Sequence, residues 1–367
     1  MRYIKTLHLA SFDGNIGDNA NHDGLYKNLK MLKEFKFNID KLEIREFYWK
    51  KKFFDEGFVN LVNEYDLLII GGGNYFELWV ERSPTGTSIS IQLDLLKKIK
   101  TPIFFNALGV DPGQGVTNKN LEKFRCFLDA LIERKDFISI RNDGSKKAIN
   151  EHVGEYYMEY IHQTVDAGFF ATPAGLPSYY KSKKYIAINV ASDMPEVRFS
   201  QISYDNFLNI FKEFIQTFLA QKKDYEIVLV PHIFRDVLFI NDFLSILDDE
   251  TRRRKITVAP LMHGDRSFKD ILAIYKGANL VLANRFHANV CSIGMRCPTI
   301  GLVNYRQIKE LYEELNSSNY TYITQKGFDI NLFEKLSNIE KIDIKPLQET
   351  YGSFFKKFEL WMKKNDF

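Results

Sequence analysis

With 367 residues, the chain is longer than one ordinary domain and suits two of about 150 to 180 residues each. Hydrophobic residues at 45% and charged residues at 26% exclude a disordered chain. Fifty Lys and Arg against 47 Asp and Glu leave +3, too little for a protein that grips nucleic acid by displacing counterions, so no nucleic-acid partner is expected.

From the N-terminus, "MRYIKTLHLASFDGN" carries an apolar stretch that breaks before it could serve as a signal core, and no later run approaches the ~20 apolar residues of a membrane span. Cys126, Cys291 and Cys297 show neither CxxC spacing nor a histidine at zinc-ligand distance, so no disulfide framework and no metal site are expected. Both observations point to a cytoplasmic protein. Next come "KTLHLASF", a helix with Leu25, Leu29, Leu32 and Phe35 at helical spacing, "KLEIREF", another helix and "DLLIIGGG". The alternation continues through "TPIFFNALGV", a helix near 120 to 135 and "FISIR", which predicts a doubly wound, mostly parallel sheet over 1–170.

Residues 171–184, "ATPAGLPSYYKSKK", read as a linker. A second α/β series follows over 185–344: "YIAINVAS", a helix at about 203 to 222, "YEIVLVPHI", "KITVAP", "NLVLANRF" and "PTIGLVN", with helices between. The last stretch, 345–367, shows Leu347, Tyr351, Phe354, Phe358 and Trp361 on one helical stripe, expected to pack back on the first domain. The predicted fold is therefore α/β, two Rossmann-like doubly wound domains facing across a cleft. Ligands of open parallel sheets bind beyond the carboxyl ends of the strands.

Four segments place polar or glycine residues at such ends. In "SFDGNIGDNANHDG", Gly14 and Gly17 form a tight loop with Asn15, and Asp18 is positioned to cap the helix. In "LLIIGGGNYF", Gly71, Gly72 and Gly73 allow the backbone near an anion or sugar, with Asn74 following; neither GxGxxG nor a Walker lysine is present. In "ISIRNDGSKKAI", Arg141 is a strand-end cation, while Asp143 and Ser145 read as helix caps. In the second domain, "VPHIFRD" sets His232 and Asp236 after a strand, and "NRFHANV" sets Asn284, Arg285 and His287 after another. Strand alternation would point Arg285 and His287 to one side and Phe286 into the core. A guanidinium fork and an imidazole together suit a phosphate, gripped by one and protonated on leaving by the other. Neither side chain is expected to support a core.

The ordered series "GNIGDNA", "LLIIGGGNYF", "ISIRNDGS", "VDAGFF", "VPHIFRD" and "NRFHANVCSIGMRCPTIGLVNY" resembles the polysaccharide pyruvyl transferase family over roughly residues 8 to 315. The resemblance implies a GT-B-like fold with the acceptor on the N-terminal side and the donor on the C-terminal side. It implies transfer of a pyruvyl group from phosphoenolpyruvate to two hydroxyls of a glycan sugar, forming a cyclic ketal in surface-polysaccharide biosynthesis. Phosphoenolpyruvate would be a co-substrate, no cofactor or metal would be needed, and the acceptor would be a glycan or lipid-linked saccharide. The family's Arg-x-His falls on Arg285 and His287, and its small-residue helix with Gly and Pro on Gly294 and Pro298. Its donor-binding lysine, three places after a tyrosine, is displaced here: Tyr305 is followed by Arg306 and then Lys309, and both stay open as its replacement. Asp18, Asp236 and His232 are the candidate general bases. Two rivals remain, a nucleotide-sugar glycosyltransferase of the same shape and a non-catalytic glycan-binding relative. Finally, "REFYWKKKFFDEGF" at 45–58 fits either contact with an anionic membrane face or, more commonly, an amphipathic helix with a solvated lysine face.

Overall fold

The computed structural model describes residues 1–365 and 367. By internal contacts the chain forms two compact units, one of Met1–Asp13, His22–Ala167 and Lys345–Phe367, the other of Gly14–Asn21 and Gly168–Ile344.

The first unit holds β1 (Arg2–Ala10), β2 (Phe35–Glu43), β3 (Leu67–Gly71), β4 (Phe76–Glu77), β5 (Ile103–Leu108), β6 (Val110–Asp111), β7 (Phe137–Ile140) and β8 (Ile161–Gln163). Six of these make a parallel sheet in the order β2-β1-β3-β5-β7-β8, while β4 and β6 pair separately. All five residues of β3 are buried, the pattern of a strand covered on both faces. The helix Asn118–Glu133, capped by Thr117 on Asn120 N, packs Phe124, Phe127, Leu128 and Leu131 into this core. The C-terminal helix Lys345–Lys364 belongs to the same unit, with Phe358 4.5 Å from the Phe104 ring and Phe354 5.6 Å from Phe137. Its aromatic stripe thus finds a sheet face, each ring contributing about 1.5–3 kcal/mol of burial.

The second unit holds β9 (Lys184–Asn189), β10 (Tyr225–Leu229), β11 (Ile256–Val258), β12 (Leu280–Ala283), β13 (Thr299–Val303) and β14 (Tyr320–Tyr322), all parallel, in the order β11-β10-β9-β12-β13-β14. The order reverses between β9 and β12, the kind of position at which ligands of open parallel sheets bind, beyond the strands' carboxyl ends. Residues 171–184 group with this unit, held by Ala174 N donating to Lys269 O and by the buried Tyr180 against Tyr185.

Within 45–58, Phe47 stacks on Phe54 and both meet Phe58 edge-on against the first core, whereas Trp49 and Phe53 are exposed. Lys52 pairs with Glu46, and Lys51 lies over the Trp49 ring. Among the described residues, no helix is long and apolar enough to cross a membrane.

Candidate functional site

The second unit's site is built on asparagines at the switch point. Asn189, the last residue of β9, donates to Val230 O and accepts from Arg285 N at 3.0 Å. Asn284, just past β12, accepts from Ala191 N and donates to Leu302 O and Asn304 Oδ1. Both are fully buried, so their amides stitch four strand ends together and fix where residue 285 emerges.

Arg285 leaves that brace in an extended conformation, and the helix Phe286–Gly294 starts after it. The strand alternation expected here is therefore cut short: β12 ends at Ala283, and His287 sits in the first helical turn rather than on an extended end. Phe286 does turn inward. The Arg285 guanidinium donates to Asp236 through Nε at 2.8 Å and through Nη2, which also reaches Asp193 Oδ1 at 2.6 Å. Burial opposes its charge, but Asp236 and then Asp193 outweigh that and hold it above the usual arginine range. Asp236 also accepts from His232 N at 2.8 Å and Ile233 N at 3.3 Å. Buried and fully engaged, it anchors the arginine and caps its own helix; it is not presented as a base.

Asp193 sits 3.7 Å from Arg198 Nη2, and Arg198 Nη1 donates to Asn304 Oδ1 at 2.9 Å while its guanidinium lies 5.2 Å from the Tyr305 ring centre. His232 is buried, with Nε2 2.6 Å from the Tyr275 hydroxyl. Burial first, then Arg285 and His287, hold it well below the ordinary histidine range, so it is neutral near pH 7. Arg285 and His287 thus lie around one ring.

His287 meets the segment Gly14–Asn21, where a helix begins, within the same unit. Its Nδ1 lies 3.7 Å from Asp18 Oδ1. Gly17 is not a loop glycine: it is in the helix Ile16–Met31, and a Cβ there would fall 2.2 Å from His287 Cβ. The absence of a side chain seats the imidazole. The helix start is held by Asn15 Oδ1, which accepts from Gly17 N at 3.0 Å, so the cap assigned to Asp18 belongs to Asn15. Gly294 is explained likewise by Phe169 O, 2.3 Å from a built Cβ. Arg306 pairs with Glu310 at 2.9 Å, and Lys309 pairs with Glu313 at 3.1 Å on the exposed face of the helix Arg306–Glu314.

In the first unit, Gly71 (φ +140°) and Gly73 answer to packing, since Cβ atoms would strike Asn106 O at 2.3 Å and the Tyr75 ring at 2.7 Å. Gly72 also has positive φ, +93°. Asn74 donates to Asp111 Oδ2 at 3.3 Å. Arg141 is buried, with Nε 2.7 Å from Asp143 and Nη1 3.6 Å from Asp166. Asp143 and Ser145 are not the helix caps expected of them: Gly144 is the cap position, Asp143 takes Arg141, and Ser145 Oγ accepts from Val110 N. Glu77 was missed in the sequence. Burial, opposed by Ser88 and reinforced by Asp111 beside it in the β4–β6 pair, lifts its carboxyl to about 7.

Sequence reading also passed over Asn189, Asp193, Arg198 and Asn304. The signal was there for two of them: "SDMPEVR" follows the strand at which the sheet order reverses, but that order is not written in the sequence.

A sequence model described as polysaccharide pyruvyl transferase matches residues 15–305. No curated protein sequence matches. Among solved structures, a UDP complex of Staphylococcus aureus MnaA superposes with a TM-score of 0.56 at 10% identity, covering 96% of this chain and 91% of that one. A putative UDP-N-acetylglucosamine 2-epimerase from Listeria monocytogenes gives 0.58 at 12% identity, covering 92% and 88%. The UDP-GlcNAc 2-epimerase of Methanocaldococcus jannaschii gives 0.54 at 12%, covering 93% of each chain. These likenesses establish a GT-B-like fold of two parallel α/β units and extend no further.

Proposed function

The chain belongs to the polysaccharide pyruvyl transferase family, and on that premise we propose that it moves the pyruvyl group of phosphoenolpyruvate onto two hydroxyls of a glycan sugar, closing a cyclic ketal and releasing phosphate. The observation that carries this reading is the gathering of Arg285, His287 and Asp18 at the carboxyl ends of β9 and β12. Arg285 supplies a fixed cation for a donor that bears a phosphate and a carboxylate. His287, its Nδ1 turned to Asp18, is the proposed donor of a proton to the departing phosphate.

The step balances as follows. A proton adds to the methylene carbon, making a methyl group and an electron-poor C2. One sugar oxygen bonds to C2 and gives up its proton; the bond from C2 to the phosphate oxygen breaks, its electron pair staying with the oxygen that His287 protonates. The second sugar oxygen then bonds to C2 and releases its proton. For the acceptor, Gly72, Asn74 and Arg141 of the first unit are the proposed contacts. The test is incubation with phosphoenolpyruvate and oligosaccharide acceptors, following phosphate release and the ketal methyl signal by NMR, with nucleotide sugars in parallel calorimetry. Binding of a nucleotide sugar without phosphoenolpyruvate would replace this reading with a glycosyltransferase; binding of glycan alone would leave a non-catalytic relative.

A further inference from the structure

Beside Arg285 lies a second arginine that no motif marks. Arg198 is only 7% exposed, and its Nε has no hydrogen-bond partner. Asn304, 8% exposed, turns Oδ1 to both Arg198 and Asn284, which leaves its Nδ2 unpartnered as well. His232, 2% exposed, has an unpartnered Nδ1. Buried polar atoms without partners are costly and rare, and three around one pair of arginines mark a place built for a ligand's oxygens. The two arginines share one carboxylate: Asp193 is 2.6 Å from Arg285 and 3.7 Å from Arg198. Asp193 comes from the bend after β9, next to Met194 at φ +55°, a conformation that costs a methionine free energy and persists only while contacts hold it.

We propose that Arg198 and Asn304 complete the oxyanion pocket begun by Arg285, and that Asp193 is an internal carboxylate occupying this pocket until a phosphate or carboxylate of the donor displaces it. The inference rests on the donor-site reading above. With Asp236 still neutralising Arg285, release of Asp193 frees one positive charge and lets the Met194 turn relax. Burial pulls Arg198 below the ordinary arginine range despite Asp193, and Arg285 adds to the pull, so its charge is the less compensated of the two. Arg198 would also take the part of the displaced family lysine, since Arg306 and Lys309 are paired along their own helix.

The test is calorimetry of the full chain with inorganic phosphate, pyruvate and phosphoenolpyruvate. Arg198→Gln should weaken binding by about tenfold or more, the scale of a lost charge-assisted hydrogen bond. Asp193→Asn, nearly isosteric, should tighten it by about threefold or more, because an internal competitor is removed. A response to phosphate assigns the pocket to the donor's phosphate end, a response to pyruvate to its carboxylate end. Asp193→Asn binding no tighter than the parent would make Asp193 a mere support and overturn the proposal, as would parental affinity in Arg198→Gln or a parent that binds none of the three. If the shifts appear but phosphoenolpyruvate is not turned over, the pocket stands and the pyruvyl-transfer reading falls.

Discussion

Replacing Asp236 by asparagine asks whether the site's arginine is held by a buried ion pair. The carboxylate takes Arg285 Nε at 2.8 Å on one oxygen and His232 N at 2.8 Å on the other. An amide keeps only one acceptor, so its NH₂ must face either the guanidinium or a backbone N–H, donor against donor. Breaking a buried pair costs ~3–5 kcal/mol because the remaining charge stays desolvated. The Arg285 side chain is 16% exposed and still has Asp193, so the lower end, about 3 kcal/mol, applies. At about 2–4 °C per kcal/mol for a unit of this size, the melting midpoint should fall by about 6–12 °C in scanning calorimetry. Asp236→Leu combined with Arg285→Met, which removes both charges, should melt higher than the single asparagine variant. A midpoint within ~2 °C of the parent for Asp236→Asn, or a double variant losing the sum of both single losses, would refute the ion-pair account. The same contacts overturn the expectation that Arg285 supports no structure: Arg285→Lys should lower stability as well as donor affinity.

His287→Gln should cut turnover by ~10²-fold or more with donor binding largely kept; full activity would remove His287 from proton transfer. Gly17→Ala places a methyl group 2.2 Å from His287 Cβ, so the ring must move, costing about 1–3 kcal/mol and lowering turnover together; an unchanged melt would contradict the packing. His8 and His232 are both held well below 6.5, chiefly by burial, while the unfolded chain takes up protons near 6.5. Stability should therefore be intact above pH 6.5 and fall as the pH drops toward the depressed folded values, by up to ~1.4 kcal/mol per pH unit for each ring. Denaturant midpoints from pH 7.5 to 5.5 measure this, and His232→Gln should flatten the slope. Exposed Trp49 and Phe53 beside Lys50, Lys51 and Lys52 should carry the protein down with anionic vesicles, and changing the three lysines to glutamate should abolish it; no sedimentation of the parent would end that idea.

Alternating apolar runs and helical stripes were enough to establish two parallel α/β series, because strand and helix periodicity record which side of each element is buried. The helix expected near 203 to 222 runs from Tyr204 to Gln221, and the one near 120 to 135 from Asn118 to Glu133. Arg285 and His287 were legible as a cation and an imidazole just past a buried strand. What surrounds them was not. Asp193 and Arg198 follow β9, Asp236 follows β10, Asn304 follows β13, and Gly17 and Asp18 open a helix more than 260 residues before His287. Which of these meet depends on the order β11-β10-β9-β12-β13-β14, a non-local outcome of pairing that no local pattern records. Gly71 and Gly17 make the same point: each reads as a permissive loop residue, and only the approach of Asn106 O or the His287 ring shows that a side chain has no room. Periodicity is a property of one element and survives in the sequence, whereas the identity of a neighbour across a sheet is a property of the assembled fold and exists only once the strands are ordered.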